Sequence, residues 1–129
     1  MSQLVMIIDD SLLVRKIMET SLKREGFACV SYPDGIEALR AIAENRHPVP
    51  HLIFLDIGLP KMDGYDLARH LKTKPQFREA VIVMLSARDG ITDRLKGRLA
   101  GAQHYMTKPF RIQDILAIAH SYLDTPLTV

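Results

Sequence analysis

Four short stretches of this 129-residue chain end in residue types that can do chemistry together. Leu4-Val-Met-Ile-Ile8 runs into Asp9-Asp10-Ser11. His51-Leu-Ile-Phe-Leu55 runs into Asp56, with Gly58 and Pro60 just beyond. Ala80 to Leu85 runs into Ser86-Ala87, and Ala102-Gln-His-Tyr-Met106 into Thr107-Lys108-Pro109-Phe110. Continuous apolar runs such as Leu52 to Leu55 suit strands buried on both faces of a parallel sheet. A lone carboxylate ending such a strand needs a reason, because an unpaired buried charge is costly. In an open parallel α/β sheet, ligands bind outside the carboxyl ends of the strands. Three acids and a lysine placed there form one site.

That site has a definite chemistry. Asp9, Asp10 and Asp56 cannot all stay ionised side by side without a cation. Mg²⁺ meets the demand, since it takes oxygen ligands and is usually held by one or two carboxylates plus a phosphate. Zinc is disfavoured, because no Cys or His lies beside these acids. A carboxylate is also a possible covalent nucleophile, able to form an acyl phosphate. Such a transfer asks mainly for charge neutralisation around the phosphoryl oxygens. Lys108 offers a point charge for one of them. Ser86 offers a hydroxyl donor, and the backbone carbonyl of Gly58 a further metal ligand. Each residue also has a plainer reading. Asp56 or Ser86 can serve a turn, Asp10 and Ser11 can cap a helix, Lys108 can be a solvated loop lysine, and Tyr105 a core aromatic. His47, His51, His70, His104 and His120 show no ligand spacing.

The elements that must position these residues alternate. Leu4–Ile8 reads as a strand, and Val14, Ile17, Met18, Ser21 and Leu22 recur at helical spacing up to Gly26, a plausible C′ glycine. Phe27–Tyr32 is a second strand. Asp34 with Glu37 resembles a capping box opening a helix striped by Ile36, Leu39, Ile42 and Ala43. Pro48 and Pro50 make 45–50 a loop. The Asp56 strand is followed by a loop and a helix carrying Tyr65, Leu67, Ala68 and Leu71. Ala80–Leu85 is the fourth strand. Ile91, Leu95 and Leu99 suggest the fourth helix, with Gly97 inside it at a cost of ~1 kcal/mol relative to alanine, so it is expected to be the least rigid. Ala102–Met106 is the fifth strand, and Arg111–Tyr122 the last helix, with Ile112, Ile115, Leu116 and Ala119 inward. Five β-α pairs argue for a parallel sheet with helices on both faces. The expectation is one domain over residues 1–129, with a core at 4–123 and a frayed tail at 124–129.

Composition excludes several classes. A net charge of +2, from 17 basic and 15 acidic residues, is too even to argue for nucleic acid or a membrane surface. The lone Cys29 excludes an internal disulfide and fits a reducing compartment. Leu4–Ile8 is too short for a signal peptide and acids follow it at once, and no apolar run approaches transmembrane length. A cytoplasmic location is expected.

Together these residues resemble a known family over Leu4–Leu123: the receiver domain of two-component response regulators, with its CheY-like fold. Asp9-Asp10 matches its acid pair, Asp56 its phosphoacceptor, and Leu59-Pro-Lys-Met-Asp-Gly64 the loop that follows. Ser86-Ala87 matches its hydroxyl switch residue, and Lys108-Pro109-Phe110 its lysine-proline motif. The resemblance implies a flavodoxin-like, doubly wound five-stranded sheet of order 2-1-3-4-5. It implies transfer of a phosphoryl group from a histidine kinase or phosphotransfer protein to Asp56. Mg²⁺ would be bound through Asp10, Asp56 and the Gly58 carbonyl, with Asp9 helping through water. Ser86 and Tyr105 would shift together and present the signal to a downstream protein on the fourth helix, fifth strand and fifth helix. The domain would be a signalling module rather than an enzyme, monomeric or weakly dimeric, with no direct nucleic-acid or membrane partner. Lys96–Ala102 looks most like stand-alone receivers of chemotaxis and twitching-motility systems. Gly58 and Arg88 depart from commoner patterns, and both positions bear on how long the phosphate lasts. Two other classes compete. A hydrolase with an aspartyl nucleophile would need a cap domain and a second general acid. A nucleotide or flavin domain would want glycines where Asp9-Asp10-Ser11 stands, since acids repel a pyrophosphate.

Overall fold

A computed structural model describes residues 3–87 and 90–123. Arg88 and the expected tail at 124–129 lie outside them. In chain order the elements are β1 (Leu4–Ile8), α1 (Leu12–Arg24), β2 (Ala28–Tyr32), α2 (Gly35–Ala43), β3 (Leu52–Asp56) and α3 (Gly64–Lys72). A 3-10 turn at Pro75–Phe77 leads to β4 (Val81–Ser86), α4 (Ile91–Leu99), β5 (His104–Thr107) and α5 (Ile112–Tyr122). The five strands are parallel, in the order β2-β1-β3-β4-β5. The expected fold is the observed one.

Burial explains why the strands are continuous apolar runs. Alternate residues of each strand enter opposite layers. Met6, Ile8, Ile53, Leu55, Ile82 and Met84 pack with Leu67 and Leu71 of α3 and with Phe77. Val5, Ile7, Leu52, Phe54, Val83 and Leu85 pack with Met18 and Leu22 of α1 and with Ile115 and Ala119 of α5. With both faces covered, polar residues of the central strands β1, β3 and β4 are confined to strand ends, and each buried Leu or Ile contributes about 1.5–3 kcal/mol. Cys29 joins the second layer, and burial, aided by the Glu19 charge and opposed by Lys23, pushes its thiol up to about 12.

Local signals behave as read. Gly26 sits at φ 93 just past α1, in the left-handed region that favours glycine. The Asp34 carboxylate accepts the Glu37 N–H at 2.8 Å and caps α2. Three strand starts shift. Ala80 is not in β4, which runs from Val81 to Ser86, because its N–H bonds back to the Phe77 carbonyl. Phe27 is not in β2, because its N–H bonds back to the Leu22 carbonyl at the end of α1. Ala102 and Gln103 are not in β5: the Ala102 N–H goes to the Gly97 carbonyl, and Gln103 meets Ile82 through both its N–H and its side-chain oxygen. The helical spacing in α4 marks its outer side. Ile91, Leu95 and Leu99 do not face the core; they are 88%, 52% and 73% exposed. The buried position of that helix is Gly97, where an added Cβ would lie 3.1 Å from the Tyr105 ring. The close approach of helix to ring turns the apolar stripe outward. Ile17, one of the residues at helical spacing in α1, and Ile36, in the apolar stripe of α2, are also exposed in part, at 42% and 37%.

Candidate functional site: an acidic cluster at the strand ends

The parallel register brings the carboxyl ends of β1, β3, β4 and β5 to one edge. Asp9 is fully buried there. Its Oδ1 accepts the Ser11 N–H at 2.9 Å, and its Oδ2 accepts the Lys108 ammonium at 2.8 Å. Asp10, next in sequence, points to solvent. Asp56 is the last residue of β3 and is buried. Its Oδ1 accepts the Gly58 N–H at 2.9 Å, and its Oδ2 accepts Lys108 Nζ at 3.0 Å. Ser86, buried at the end of β4, accepts the Lys108 N–H on its carbonyl at 2.6 Å. The Lys108–Pro109 peptide is cis.

One ammonium therefore joins two carboxylates from different strands. Burial alone would lower the Lys108 pKa, but hydrogen bonds to Asp9 and Asp56, together with their charges, outweigh it and hold the lysine above its ordinary value. Asp9, Asp10 and Asp56 each offer a carboxylate oxygen, all within 4.8 Å of one another. An all-oxygen, acid-rich donor set suits a hard divalent cation such as Mg²⁺. Beside it opens a cavity of about 490 Å³, lined on its Asp56 side by Gly58, Ser86 and Lys108 and on the far side by Asp63, Tyr65 and Lys96. A Cβ at Gly58 would meet only Asp56 Oδ1, at 3.7 Å, so the space above that oxygen is open. The sequence-predicted residues Asp9, Asp10, Asp56, Gly58, Ser86 and Lys108 thus share one edge of the sheet. Tyr105 does not; it lies behind it on β5, half-buried, with the Arg94 guanidinium 5.3 Å from its ring centre.

The match to a family model for the response regulator receiver domain runs over residues 5–120. The chain belongs to that family. It is 38% identical over 119 residues to Protein PilG of Pseudomonas aeruginosa, covering 92% of this chain and 86% of PilG. Response regulator MprA of Mycobacterium sp. (strain KMS) is 35% identical over 113 residues, which is 88% of this chain but 47% of MprA, so the chain spans about half of that relative. The BeF3-activated receiver domain of DrrB superposes with a TM-score of 0.84 at 27% identity, covering 96% of this chain and 99% of that one. Chemotaxis response regulator CheY4 of Vibrio cholerae shares the fold, with a TM-score of 0.85 at 24% identity over 95% of this chain and all of CheY4. Receiver domains are signalling modules of two-component systems, and their family binds Mg²⁺ at such an acidic cluster. No helix among the described residues is long and apolar enough to cross a membrane.

Some supporting residues escaped the sequence reading. Arg15 Nη1 donates to the Asp9 carbonyl at 2.5 Å, tying α1 to the acid pair. Lys61, at φ 70, reaches Asp34 at 3.5 Å and links the loop after β3 to the start of α2. Gly64 has the strictest role: a Cβ there would lie 2.7 Å from the Asp56 carbonyl oxygen and from Ile57 Cα. The helix that follows the site can close onto β3 only over a glycine. The Tyr65 hydroxyl donates to the Asp93 carbonyl at 3.2 Å, joining α3 to α4. Gly64 stood inside a recognised motif, but a side-chain-to-carbonyl contact such as Arg15 to Asp9 leaves no pattern in sequence.

Proposed function

We propose that this receiver domain takes a phosphoryl group onto Asp56 from a histidine kinase or phosphotransfer protein, and that the acyl phosphate resets a protein-binding face. The observation that carries this is the Lys108 ammonium held between Asp9 and Asp56 beside an open cavity. A carboxylate oxygen of Asp56 attacks phosphorus. A P–O bond forms as the P–N bond of the donor phosphohistidine breaks, and the imidazole leaves with the bonding pair and gains a proton. Negative charge spreads over three phosphoryl oxygens in this transfer, and catalysis is mostly positioning and neutralisation. Lys108 Nζ neutralises one oxygen. The Ser86 hydroxyl donates to another. Asp10, Asp56 and the Gly58 carbonyl would hold Mg²⁺, with Asp9 acting through water; when bound, the ion would supply positive charge against the phosphoryl group. Asp9 keeps the lysine ammonium aimed into the site, and Arg15 and Gly64 hold the two loops that carry the acids.

The output face is α4, β5 and α5. Ser86 ends β4 and Lys108 follows β5, and on those two strands Met84 and Tyr105 pack against Gly97 of α4. A phosphoryl group engaging Ser86 and Lys108 would bias the Tyr105 position against Gly97, a two-state change read out on the surface. The domain acts as a module that carries a signal, its only turnover being self-catalysed transfer and loss of phosphate.

Intact-mass measurement after treatment with acetyl phosphate tests the acceptor. Wild type with Mg²⁺ is expected to gain one phosphoryl group, and Asp56→Asn none. An unchanged gain in Asp56→Asn sinks the assignment.

A further inference from the structure

Tyr65 is the first side chain of α3 that leaves the acceptor loop for another element. It follows Gly64, whose N–H bonds to the Ile57 carbonyl at 3.2 Å and which lies too close to Asp56 and Ile57 to carry a Cβ. The Tyr65 N–H is held in turn by the Asp63 carboxylate at 2.7 Å. The backbone of Tyr65 is thus fixed relative to the end of β3. Its hydroxyl meets two further elements. It donates to the Asp93 carbonyl in the first turn of α4, at 3.2 Å. It also shares a hydrogen bond with the Tyr105 hydroxyl of β5; burial first, and that bond next, push the Tyr65 phenol up to about 12. Tyr105 lies against Gly97, where an added Cβ would come within 3.1 Å of its ring. An α-helix pairs the Gly97 N–H with the Asp93 carbonyl, so the Tyr65 hydroxyl and the Tyr105 ring grip the same turn of α4. That helix has little else to hold it, since Gly97 is its one buried residue.

Resting on the acceptor and output face proposed above, we infer that Tyr65 is a positioning residue of the switch: its hydroxyl carries the state of the Asp56 loop to Tyr105 and α4, a second route beside the one through Ser86 and Lys108. Residues 56–58 hold the acceptor carboxylate and the Gly58 carbonyl, so their backbone answers first to a phosphoryl group. Gly64 is pinned on Ile57, and a displacement of that loop therefore passes to the Tyr65 ring. The hydroxyl transmits it to two partners at once, and both belong to the output face. Coupling of this kind needs a connected set of contacts that both ends bias, and hydrogen-bonded networks supply one. The plainer reading is that Tyr65 only fills the space between α3 and α4. Filling space needs the ring and not the oxygen, so the two readings separate at a single atom.

Tyr65→Phe, Tyr105→Phe and the double variant of the intact chain test this, with folding checked by circular dichroism and each followed by hydrogen exchange. Without beryllofluoride, Tyr65→Phe should speed exchange of the α4 amides by about two- to tenfold, the net contribution of one hydrogen bond. The double variant should gain less than the product of the two singles, because contacts in one network do not add. With Mg²⁺ and beryllofluoride, the change on α4 should shrink in Tyr65→Phe while the change at residues 56–58 persists. Wild-type α4 exchange in Tyr65→Phe, single effects that multiply as independent sites do, or a full beryllofluoride response on α4 overturns the inference. Should Tyr65→Phe fold poorly, NMR of the wild type labelled with ¹³C-tyrosine decides. The Tyr65 and Tyr105 ring signals should then move together as beryllofluoride is titrated, and movement of Tyr105 alone overturns the inference. Wild type without any response to beryllofluoride would sink the acceptor reading at Asp56, and the hydroxyl link would still be judged by exchange in its absence. A wild-type response at residues 56–58 with none on α4 would sink the output face and this route with it.

Discussion

Lys108 is a single side chain with two carboxylate partners, and its charge is secured by them. A lysine whose folded pKa lies above its unfolded value contributes stability that is fully present below the unfolded pKa, about 10.4. That contribution is lost only as pH rises through the still higher folded value. Across the physiological range the ammonium stays charged, so Lys108 should impose no pH dependence on phosphorylation there. Lys108→Ala is expected to leave labelling of Asp56 measurable while blunting the conformational response, because the ammonium reports phosphoryl charge to β5 more than it drives transfer. A mutant retaining the full beryllofluoride-induced exchange change on α4 would contradict this. The two neighbouring acids should differ as well. Asp9 is buried and already engaged by Ser11 and Lys108, whereas Asp10 is exposed and available as a ligand. Mg²⁺ titration should show Asp10→Asn losing at least about tenfold in affinity and Asp9→Asn less, in line with an ion that uses one or two carboxylates directly. The opposite ranking would exchange their roles.

At the scale of elements, α2 depends on its cap. The Glu37 N–H, more than any other contact, holds the Asp34 carboxyl below the usual carboxylate range; burial opposes this and the Lys61 charge assists. Asp34→Ala should cost about 1 kcal/mol in urea unfolding, the ordinary worth of an N-cap. Because the folded pKa is depressed, the Asp34 contribution is complete above the unfolded carboxylate pKa of about 4 and fades as pH falls through the folded value. The difference between wild type and Asp34→Ala should therefore shrink below about pH 4; an unchanged gap at low pH would count against the cap's charge. The cap was legible in the sequence because Asp34 and Glu37 sit three apart on one local turn. The strands were legible for a similar reason, since burial on both faces leaves a continuous apolar run. The orientation of α4 was not. Ile91, Leu95 and Leu99 have the spacing of a core stripe, and only the place of Gly97 against the Tyr105 ring reveals that the stripe faces out. Arg15 and Lys61 were likewise invisible, because a long side chain's partner is chosen by the fold and not by its neighbours in sequence. The site itself was legible because the register of a parallel sheet gathers its strand ends.

For the whole molecule, the expected consequence of phosphorylation is a redistribution of local stability. α4 is the element with an interior glycine and no large apolar side chain buried, and mobile elements come from the low-stability end of a fold. Hydrogen exchange with and without beryllofluoride should show protection changes across residues 90–110. Changes confined to the Asp56 loop would rule out the output face. The salt links that close the site have a further meaning. Lys108 lies 99 residues from Asp9 and 52 from Asp56, so both contacts close long loops. Contacts of such separation are the slowest to form. On the ribosome, a chain extended only through α4 would already hold all three aspartates, but not the ammonium that neutralises them. The ability to respond to a phosphoryl group would then arrive only with the segment that follows the last strand, so that only a finished receiver can be switched on.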